Sequence, residues 1–326
     1  MKRLKKITAV ITAFVLSVVL FTACETKEEK TISTTEMFFD TVISIKLFDT
    51  DDENILDECK DLMETYEEMF SRTIPTSEVS LINNSGGTPV KVSDETLYLI
   101  ETAVDLSIVT DGAFDITTAV LSDLWNIKEN PGIIPDEEDI EEALSHVGYE
   151  NIVYDKEGNV SLTDPDARID LGALAKGYVG DKLKEYLVEQ GVKSGIIDLG
   201  GNIVLIGSKP DGSNFNIGLQ KPFSKRNEII TSVKTSDKSV VSSGNYERYF
   251  EKDGKIYHHI FDPFTGYPVD NELLQASIIC DSSLMGDALS TSCFILGAEK
   301  GRKLIDTYGN GAEVILITKD MEIIQN

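Results

Sequence analysis

The stretch YHHIFDPFTGYPVD at residues 257–270, followed by MGDALSTSCFILG at 285–297, is the part of the sequence around which the rest is organised. It contains two neighbouring histidines, His258 and His259. Successive side chains of an extended segment point to opposite faces, so only one of the two can face a given site. Proline, glycine and proline then interrupt DPFTGYP, which indicates a turn. The sequence leaves open which histidine faces the site.

Asp287 and Thr291 lie four residues apart in the second segment, whose apolar residues have helical spacing. That spacing places a carboxylate and a hydroxyl on one face of a helix, one turn apart. Two oxygen ligands without a neighbouring histidine or thiolate suit Mg²⁺ better than Zn²⁺. The simpler interpretation is a helix N-terminus, at which Asp287 caps the helix and Thr291 is solvated.

The loop TDGAFDITT at 110–118 places Phe114 beside Asp115. An aromatic face next to a hydrogen-bond acceptor could hold a planar ring system. The alternative is a helix-to-helix turn with Phe114 in the core.

The segment ARIDLGALAKGY at 167–178 predicts a strand over 168–171, a turn at Gly172 and a helix from about Ala173. The backbone N–H groups and the positive dipole end of such a helix suit a phosphate, and Lys176 adds a formal positive charge. The glycine also allows nearby carbonyl groups to reach a cation. The alternative is an ordinary connection with a surface lysine.

These blocks together resemble the ApbE family, the FAD:protein FMN transferases. HHIFDPFTGYPV (258–269) and GDALSTSCFILG (286–297) are similar to the family's C-terminal signature. The other matching blocks are DGAFDITT at 111–118, DLGALAKGY at 170–178, DLGGNIVLIG at 198–207 and VSSGNYERYF at 241–250. Six ordered blocks are more specific than a lone motif. The resemblance implies an α+β, ApbE-like and T-fold-related fold, in which helices pack around antiparallel strands and FAD binds between two halves.

The resemblance also implies a reaction and a set of site residues. FMN would move from FAD through its phosphate to a Thr or Ser hydroxyl of a target flavoprotein, with Mg²⁺ or Mn²⁺ present and AMP released. The residues implied to bind FAD are Met37, Ala113, Phe114, Asp115, Asp170 and Lys176, and those implied to bind the metal are the carbonyl of Ala173 with Asp287 and Thr291. His259 would act in catalysis by taking the proton of the acceptor hydroxyl. We expect Asp262 to orient His259, and Lys176 to hold a phosphate.

Two other activities remain compatible with these residues. With water in place of the acceptor hydroxyl, the same site would be an FAD pyrophosphatase that gives FMN and AMP. A non-catalytic FAD-binding lipoprotein is the other alternative, although such a protein would need neither His259 nor the Asp287 and Thr291 pair.

The N-terminal segment predicts export and a lipid anchor. Residues 1–23 combine a basic start with a short apolar run, as a secretory signal does, and Ala23 precedes Cys24 as in a bacterial lipoprotein. The apolar run is short for a membrane span. We therefore expect Cys24 to be lipidated, residues 24–34 to be a flexible tether, and 35–326 to be the enzyme domain on the outer face of the cell membrane. The targets would be exported or membrane-bound redox flavoprotein subunits.

Composition agrees with an exported globular domain. The formal net charge of −26 includes the four positive charges of the predicted signal. This excess of acid disfavours nucleic acid and anionic lipid as partners, so the lipid anchor would be the only membrane contact. An anionic dinucleotide would then depend on a metal and a few local donors. The remaining cysteines are widely spaced and predict buried thiols: Cys59, Cys280 and Cys293.

Apolar spacing predicts the order of the main elements. A strand is expected within 39–48, and helices are expected over 53–70 and 94–109. A further helix with an acidic first turn is expected within 131–148, and His146 would be a surface residue that caps its C-terminus. The inward residues of the second helix would be Leu97, Ile100, Val104 and Ile108. From 151 onward short strands predominate, and those after 194 predict an antiparallel meander. Helices grouped before and after strands give the class α+β.

Overall fold

Strands and helices follow one another in blocks in the computed structural model, which describes residues 30–225 and 228–325. The strands are β1 (Ile32–Phe38), β2 (Thr41–Leu47), β3 (Val90–Lys91), β4 (Ile152–Tyr154), β5 (Asn159–Leu162), β6 (Ser194–Leu199), β7 (Asn202–Gly207), β8 (Phe215–Gln220), β9 (Ile229–Thr235), β10 (Ser239–Gly244), β11 (Tyr249–Lys252), β12 (Lys255–His258), β13 (Leu273–Cys280), β14 (Glu313–Thr318) and β15 (Ile323–Gln325). The helices are α1 (Asn54–Phe70), α2 (Glu78–Asn83), α3 (Asp94–Val109), α4 (Ala119–Trp125), α5 (Glu137–Ser145), α6 (Ala175–Glu189) and α7 (Ser283–Tyr308). A short 3₁₀ turn covers Tyr149–Asn151.

The central element is an eight-stranded antiparallel sheet in the order β1-β2-β6-β7-β10-β13-β14-β15. Every residue of β13 is buried, because both faces of the sheet are covered at this strand. Ala276 and Ile278 belong to the main core, to which α6 and α7 contribute, whereas Ile279 packs with Leu219 of β8. The sheet thus separates the main core from a smaller apolar layer under the β8–β9 hairpin.

A second apolar cluster lies apart from the main core. It is built around Trp125 of α4, whose indole N–H donates to the Gly266 carbonyl at 2.9 Å. Phe261 and the half-buried Tyr257 pack against that ring. This cluster joins α4 to the segment that follows β12.

Helices α6 and α7 cross closely, and glycine makes this possible. A Cβ at Gly177 would lie 2.4 Å from the Ser283 carbonyl oxygen, and one at Gly286 would lie 2.7 Å from a methyl group of Val241. Neither position has room for a larger side chain. The start of α6, the first turns of α7 and the strand β10 therefore come together, and Lys176, Asp287 and Thr291 lie at this crossing.

The start of α7 is fixed by side-chain acceptors. The Ser282 hydroxyl accepts from the Met285 N–H, and the half-buried Asp181 carboxylate of α6 accepts from the N–H groups of Ser283 and Leu284 at 2.7 and 3.0 Å. These bonds satisfy donors that a helix N-terminus leaves without partners. The helical geometry breaks at Gly297, where φ is 79°.

Most predicted elements are confirmed. The α+β class is correct, the helix expected at 53–70 is α1, and the helix expected at 94–109 coincides with α3. The helix with an acidic first turn is α5, and its C-cap is His146. Cys59, Cys280 and Cys293 are buried free thiols. No helix within the described ranges combines the length and the hydropathy that crossing a bilayer requires.

Four details of the predictions are wrong. The tether expected over 24–34 ends earlier, because β1 begins at Ile32, which pairs with Leu47. The meander is interrupted, since β7 pairs with β10 while β8 and β9 form a separate hairpin. Residues 168–171 form no strand beyond one bridge from Arg168 to Thr118. Ile108, expected inside, is 56% exposed in the last turn of α3. The predicted signal 1–23 and Cys24 lie outside the described residues.

Candidate active site

Asp287 is a buried carboxylate inside helix α7, one turn beyond the cap. Only 4% of its surface is exposed, and its Oδ2 accepts from the Gly177 N–H at 3.0 Å and lies 3.2 Å from the Lys176 ammonium. The interpretation of Asp287 as a helix cap is therefore wrong, since Ser282 has that role. A charge held this deep requires partners, and the start of α6 supplies them.

Thr291 lies one turn after Asp287, as the spacing predicts. Its hydroxyl is 3.0 Å from the Ser243 hydroxyl at the end of β10, and Ser243 is also 2.8 Å from the Ser290 hydroxyl. Ser243 therefore fixes the position of the Thr291 oxygen, and the sequence alone did not identify it.

The carbonyl group of Ala173 is oriented by an irregular start of α6. In a regular helix the Gly177 N–H would donate to this carbonyl, but it donates to Asp287 instead. Among the described residues no other donor replaces it. The Ala173 carbonyl, the Asp287 carboxylate and the Thr291 hydroxyl are the oxygen donors that Mg²⁺ prefers, and the ammonium beside Asp287 shows that this position accepts positive charge. These three residues fit a magnesium site.

Asp170 connects its own segment, 167–178, to the 110–118 loop. Its N–H donates to the Ile116 carbonyl at 2.9 Å, and its Oδ1 accepts from the Gly172 N–H at 2.7 Å. Its Oδ2 is 3.0 Å from Nε of Arg72, whose other arm binds Asp123. Arg72 thus fixes the orientation of Asp170.

Lys176 is bonded at its other side to the turn before α6. Its ammonium donates to the Gly172 carbonyl at 2.8 Å, besides its contact with Asp287. The side chain is only partly exposed, with 26% of its surface accessible. Lys176 therefore lies at the centre of the site, and the alternative of a surface lysine is wrong.

The loop at 110–118 turns its side chains inward. Phe114 is 2% exposed and belongs to the main core, so the interpretation of its ring as an open aromatic face is wrong. The Asp115 carboxylate accepts from the N–H groups of Thr117 and Tyr149, both at 2.8 Å. Burial raises the pKa of Asp115 above its usual value, although these hydrogen bonds oppose the shift. The loop therefore offers a ligand mainly its backbone, Ala113 included.

The structure distinguishes the two neighbouring histidines. His258 is 1% exposed, its Nε2 is 2.8 Å from the Val269 carbonyl, and its ring meets the edge of Phe294. His259 is half-buried on the opposite face of the strand end, and its Nδ1 is 3.4 Å from the Arg248 carbonyl. His259 is therefore the histidine available to a ligand.

The imidazole of His259 is held in its neutral form. Crowding by the surrounding protein lowers the pKa of His259 to about 3, and the neighbouring His258, Arg248 and Lys176 side chains act in the same direction. With the hydrogen on Nδ1 facing the Arg248 carbonyl, Nε2 keeps its lone pair. Such a group can accept a proton at neutral pH.

Asp262 does not have the expected role. Its carboxylate accepts from the Phe264 N–H at 2.8 Å and stabilises the turn that follows Phe261. The protein group that lies against the His259 ring nitrogen is the Arg248 carbonyl. The expectation that Asp262 orients His259 is therefore wrong, because the local turn uses the carboxylate.

Met37 is exposed near the tip of the β1–β2 hairpin, with 66% of its surface accessible. The turn itself, Phe39 and Asp40, has left-handed backbone at both residues, with φ of 52° and 57°. Arg248 donates to the Asp40 carbonyl at 3.4 Å, and Lys128 is 3.3 Å from the Asp40 carboxylate. The hairpin tip is thus connected through Arg248 to the backbone that contacts His259.

One side-chain cluster and one cavity lie apart from these residues. The ligand atoms of His146, Asp164 and Asp166 lie within 4.8 Å of one another. Asp164 already accepts from His146 at 2.7 Å and from the Asp166 N–H at 2.9 Å, so protein donors satisfy it. A cavity between α3, α6 and the start of α7 is lined by several acidic residues and by none of the predicted site residues, which disfavours an anionic dinucleotide there.

Sequence reasoning missed Arg72, Arg248, Ser243 and the backbone of Gly177. Arg248 and Ser243 lie inside the block VSSGNYERYF, and Arg72 lies just after α1, but their partners are distant in sequence. Together with Lys176, the two arginines place positive charge around the site of a chain with a net charge of −26. Local donors of this kind are what an anionic dinucleotide would need.

Comparison with known proteins gives one consistent result. The sequence profile of the ApbE family matches residues 39–316. An FAD:protein FMN transferase of Klebsiella pneumoniae is 38% identical over 86% of this chain and 87% of its own, and one of Treponema pallidum is 33% identical over 82% and 78%.

Solved structures agree with these relatives. The crystal structure of an ApbE protein from Thermotoga maritima has a TM-score of 0.83 at 31% identity, covering 91% of this chain and 97% of that one. The flavin transferase ApbE of Vibrio cholerae has a TM-score of 0.81 at 26% identity, with the same coverage.

Proposed function

The chain belongs to the ApbE family, and from that premise we propose that it is an FAD:protein FMN transferase. It binds FAD and moves FMN to a Thr or Ser hydroxyl of a target flavoprotein. The acceptor oxygen forms a bond to the phosphorus of the FMN half, the pyrophosphate bond to the AMP half breaks, and AMP leaves. The product is a phosphoester between the target protein and FMN.

One observation supports this assignment above the others, namely the position of Lys176. Its ammonium lies 3.2 Å from the Asp287 carboxylate. Burial is the main cause of the lowered pKa of His259, and His258, Arg248 and Lys176 lower it further. The cation and the carboxylate are therefore in contact, and the charge of Lys176 also acts on the imidazole that would accept the proton. Phosphoryl transfer requires this combination, because charge must be neutralised while a hydroxyl loses its proton.

His259 takes the proton of the acceptor hydroxyl at Nε2. Its lowered pKa keeps the ring unprotonated at neutral pH, and the Arg248 carbonyl faces the other ring nitrogen. A positioned base of this kind contributes roughly 10²–10⁴ in rate. When FAD binds, Lys176 would exchange the Asp287 carboxylate for a phosphate oxygen of FAD.

The metal would be held by the Ala173 carbonyl, the Asp287 carboxylate and the Thr291 hydroxyl. Mg²⁺ is the ion that these donors favour, with Mn²⁺ as the alternative. When bound, it would neutralise charge on the pyrophosphate oxygens and make AMP a better leaving group. Asp287 would then hold the ion in place of the Lys176 ammonium.

FAD would lie between two parts of the fold. One is the main core, to which α6 and α7 contribute, and the other is the cluster around Trp125. Tyr257 of that cluster is close to His259 in sequence. The flavin would meet Met37 and the backbone of the 110–118 loop. Asp115, which the loop itself uses, would act there through the position it gives to Tyr149. Asp170 would meet FAD in the orientation that Arg72 imposes.

The protein would act on the outer face of the cell membrane, anchored by a lipid on Cys24. The basic start, short apolar run and Ala23–Cys24 pair of the sequence support this. Acceptors would be exported or membrane-bound redox flavoprotein subunits on the same face. A Cys24→Ala variant should leave the membrane fraction of cells, and its retention there would contradict the anchor.

The test of the transferase uses the chain from Glu25 onward, which keeps every described element. It is mixed with FAD, Mg²⁺ and the unmodified subunit of a flavoprotein that carries FMN on threonine when mature. We expect the subunit to gain the mass of one FMN, with an equal amount of AMP released. His259→Ala should abolish both, and His146→Ala, a histidine outside the site, should not. AMP and free FMN without modification of the subunit would indicate a pyrophosphatase, and unchanged bound FAD would indicate a carrier.

A further inference from the structure

Arg248 enters the reaction described above only through its backbone carbonyl, and its charged side chain has no role there. The guanidinium makes one hydrogen bond, a long one of 3.4 Å to the Asp40 carbonyl. No carboxylate within the described ranges pairs with it, whereas Arg72 is bound by the carboxylates of both Asp123 and Asp170. A guanidinium carries five N–H donors. Arg248 therefore retains most of its donors for a ligand.

The register of β11 and β12 places the Arg248 side chain on the same face as His259. Tyr249 pairs with His258, so the next pair along is Arg248 with His259, and the His259 N–H donates to the Arg248 carbonyl at 3.3 Å. Opposed residues of an antiparallel pair have their side chains on one face, with Cβ atoms about 4.5–5.5 Å apart. Burial lowers the pKa of His259 most, followed by His258 and then by Arg248, as expected of a cation on that face.

Two cations with separate attachments thus act on His259. Lys176 lies at the start of α6, where its ammonium contacts the Asp287 carboxylate. Arg248 lies just before β11 and contacts the tip of the β1–β2 hairpin through the Asp40 carbonyl. The two side chains share no protein partner in the part of the chain that the structure describes. A phosphate beside His259 can therefore bind one of them without displacing the contacts of the other.

We propose that the Arg248 guanidinium binds the phosphate of the FMN half of FAD and stabilises it during transfer. This inference rests on the proposed transferase function and adds a catalytic residue to it. His259 takes the proton of the hydroxyl that attacks this phosphorus, so its cross-strand neighbour is within reach of the same phosphate. As the acceptor oxygen bonds to phosphorus, the bond from phosphorus to the bridging oxygen breaks and its electron pair leaves with AMP. Arg248 keeps its own protons and donates hydrogen bonds to the charged phosphate oxygens.

The chemistry of the guanidinium suits this role better than a structural one. Its planar fork donates two parallel N–H bonds to a phosphate, which the compact ammonium of a lysine cannot do. Its present bond to the Asp40 carbonyl exceeds the usual N–H···O range of about 2.7–3.2 Å, so that bond alone fixes the side chain weakly. If Arg248 served only to hold the hairpin tip, its replacement would weaken FAD binding and leave the rate of the chemical step unchanged.

The experiment uses the full chain in detergent with Arg248→Ala and Arg248→Lys. The substrates are FAD and the unmodified subunit of a flavoprotein that carries FMN on threonine when mature, and AMP release gives kcat and the KM for the subunit. We expect kcat to fall about 10²–10³-fold in Arg248→Ala and about tenfold in Arg248→Lys, which keeps the charge but loses the fork. The dissociation constant of FAD, measured by flavin fluorescence, should change less than about threefold, because the contact strengthens mainly in the transition state.

Arg302→Ala is the matched control, because Arg302 is an exposed arginine of α7 beyond the break at Gly297. Its kcat should equal that of the wild type. An unchanged kcat in Arg248→Ala would overturn the proposal. A loss of FAD affinity as large as the loss of kcat, or a change confined to the KM for the subunit, would overturn it as well. Failure of the transferase assignment is a separate outcome, namely absence of covalent FMN with the wild-type chain.

Discussion

His258 makes the fold sensitive to acid, and the structure allows the size of the effect to be calculated. The neutral ring uses both nitrogens: Nε2 donates to the Val269 carbonyl at 2.8 Å, and Nδ1 accepts from the Ile260 N–H at 3.3 Å. A proton on Nδ1 would face that N–H and bring a charge into the core. Burial, the main cause, lowers the pKa of His258 to about 4.

The sign follows from the difference between the folded and unfolded states. The pKa of an unfolded histidine is about 6.5, so the unfolded chain takes up a proton at a higher pH than the folded chain does. Stability from this group is complete above pH 6.5 and is lost as the pH falls toward 4. For these two values the free energy of unfolding decreases by about 2 kcal/mol between pH 7 and pH 5.

The assay is urea unfolding followed by the fluorescence of Trp125, the single tryptophan, which is 1% exposed. Wild type and His258→Gln are compared at pH 7 and pH 5, since glutamine retains a donor but does not titrate. The wild type should lose about 2 kcal/mol more than the variant between the two pH values. An equal loss in wild type and His258→Gln would refute the reasoning.

Three further predictions concern the site and its support. Asp287→Asn removes the charge beside Lys176, so the Mg²⁺ concentration for half-maximal AMP release should rise at least about tenfold; an unchanged titration would remove Asp287 from the metal set. In Arg72→Lys, the lysine ammonium cannot bridge two carboxylates as a guanidinium does, so Asp170 should lose its orientation. The affinity for FAD, measured by flavin fluorescence, should fall about fivefold. Full affinity would show that Arg72 is dispensable. Asp181→Ala leaves the start of α7 without its main acceptor and should lower the free energy of unfolding by about 2–4 kcal/mol in urea, whereas a change below about 0.5 kcal/mol would contradict this role.

The sequence was most informative where structure depends on neighbours in the chain. Apolar spacing located α3 correctly and placed Asp287 and Thr291 on one helix face, because both follow from helical period alone. It failed for Ile108, since the buried face of α3 passes through Ala103, Leu106 and Ser107, and Ile108 lies on the other side of the last turn. The spacing of apolar residues indicates which face of a helix is apolar. Segments that are distant in sequence determine what covers that face.

The same limit explains the errors in the site. Whether Phe114 faces a ligand or the core depends on packing that the loop sequence does not contain. Asp287 resembles a cap in sequence because its buried partners, Lys176 and Gly177, are more than 100 residues away. Arg72 was passed over for a similar reason, since Asp170 lies far along the chain. The family resemblance supplied the residues that spacing could not.

The close crossing at Gly177 limits how this enzyme can be re-engineered. One glycine provides both the clearance between two helices and the N–H group that holds Asp287. A designer who wishes to graft the proposed metal site onto another scaffold must therefore transplant two helices and a strand end together, since the three proposed oxygen ligands alone would lack their alignment. Directed evolution for a different ion is constrained in the same way. A change at Gly177 that alters the position of Asp287 also alters the packing of the two helices.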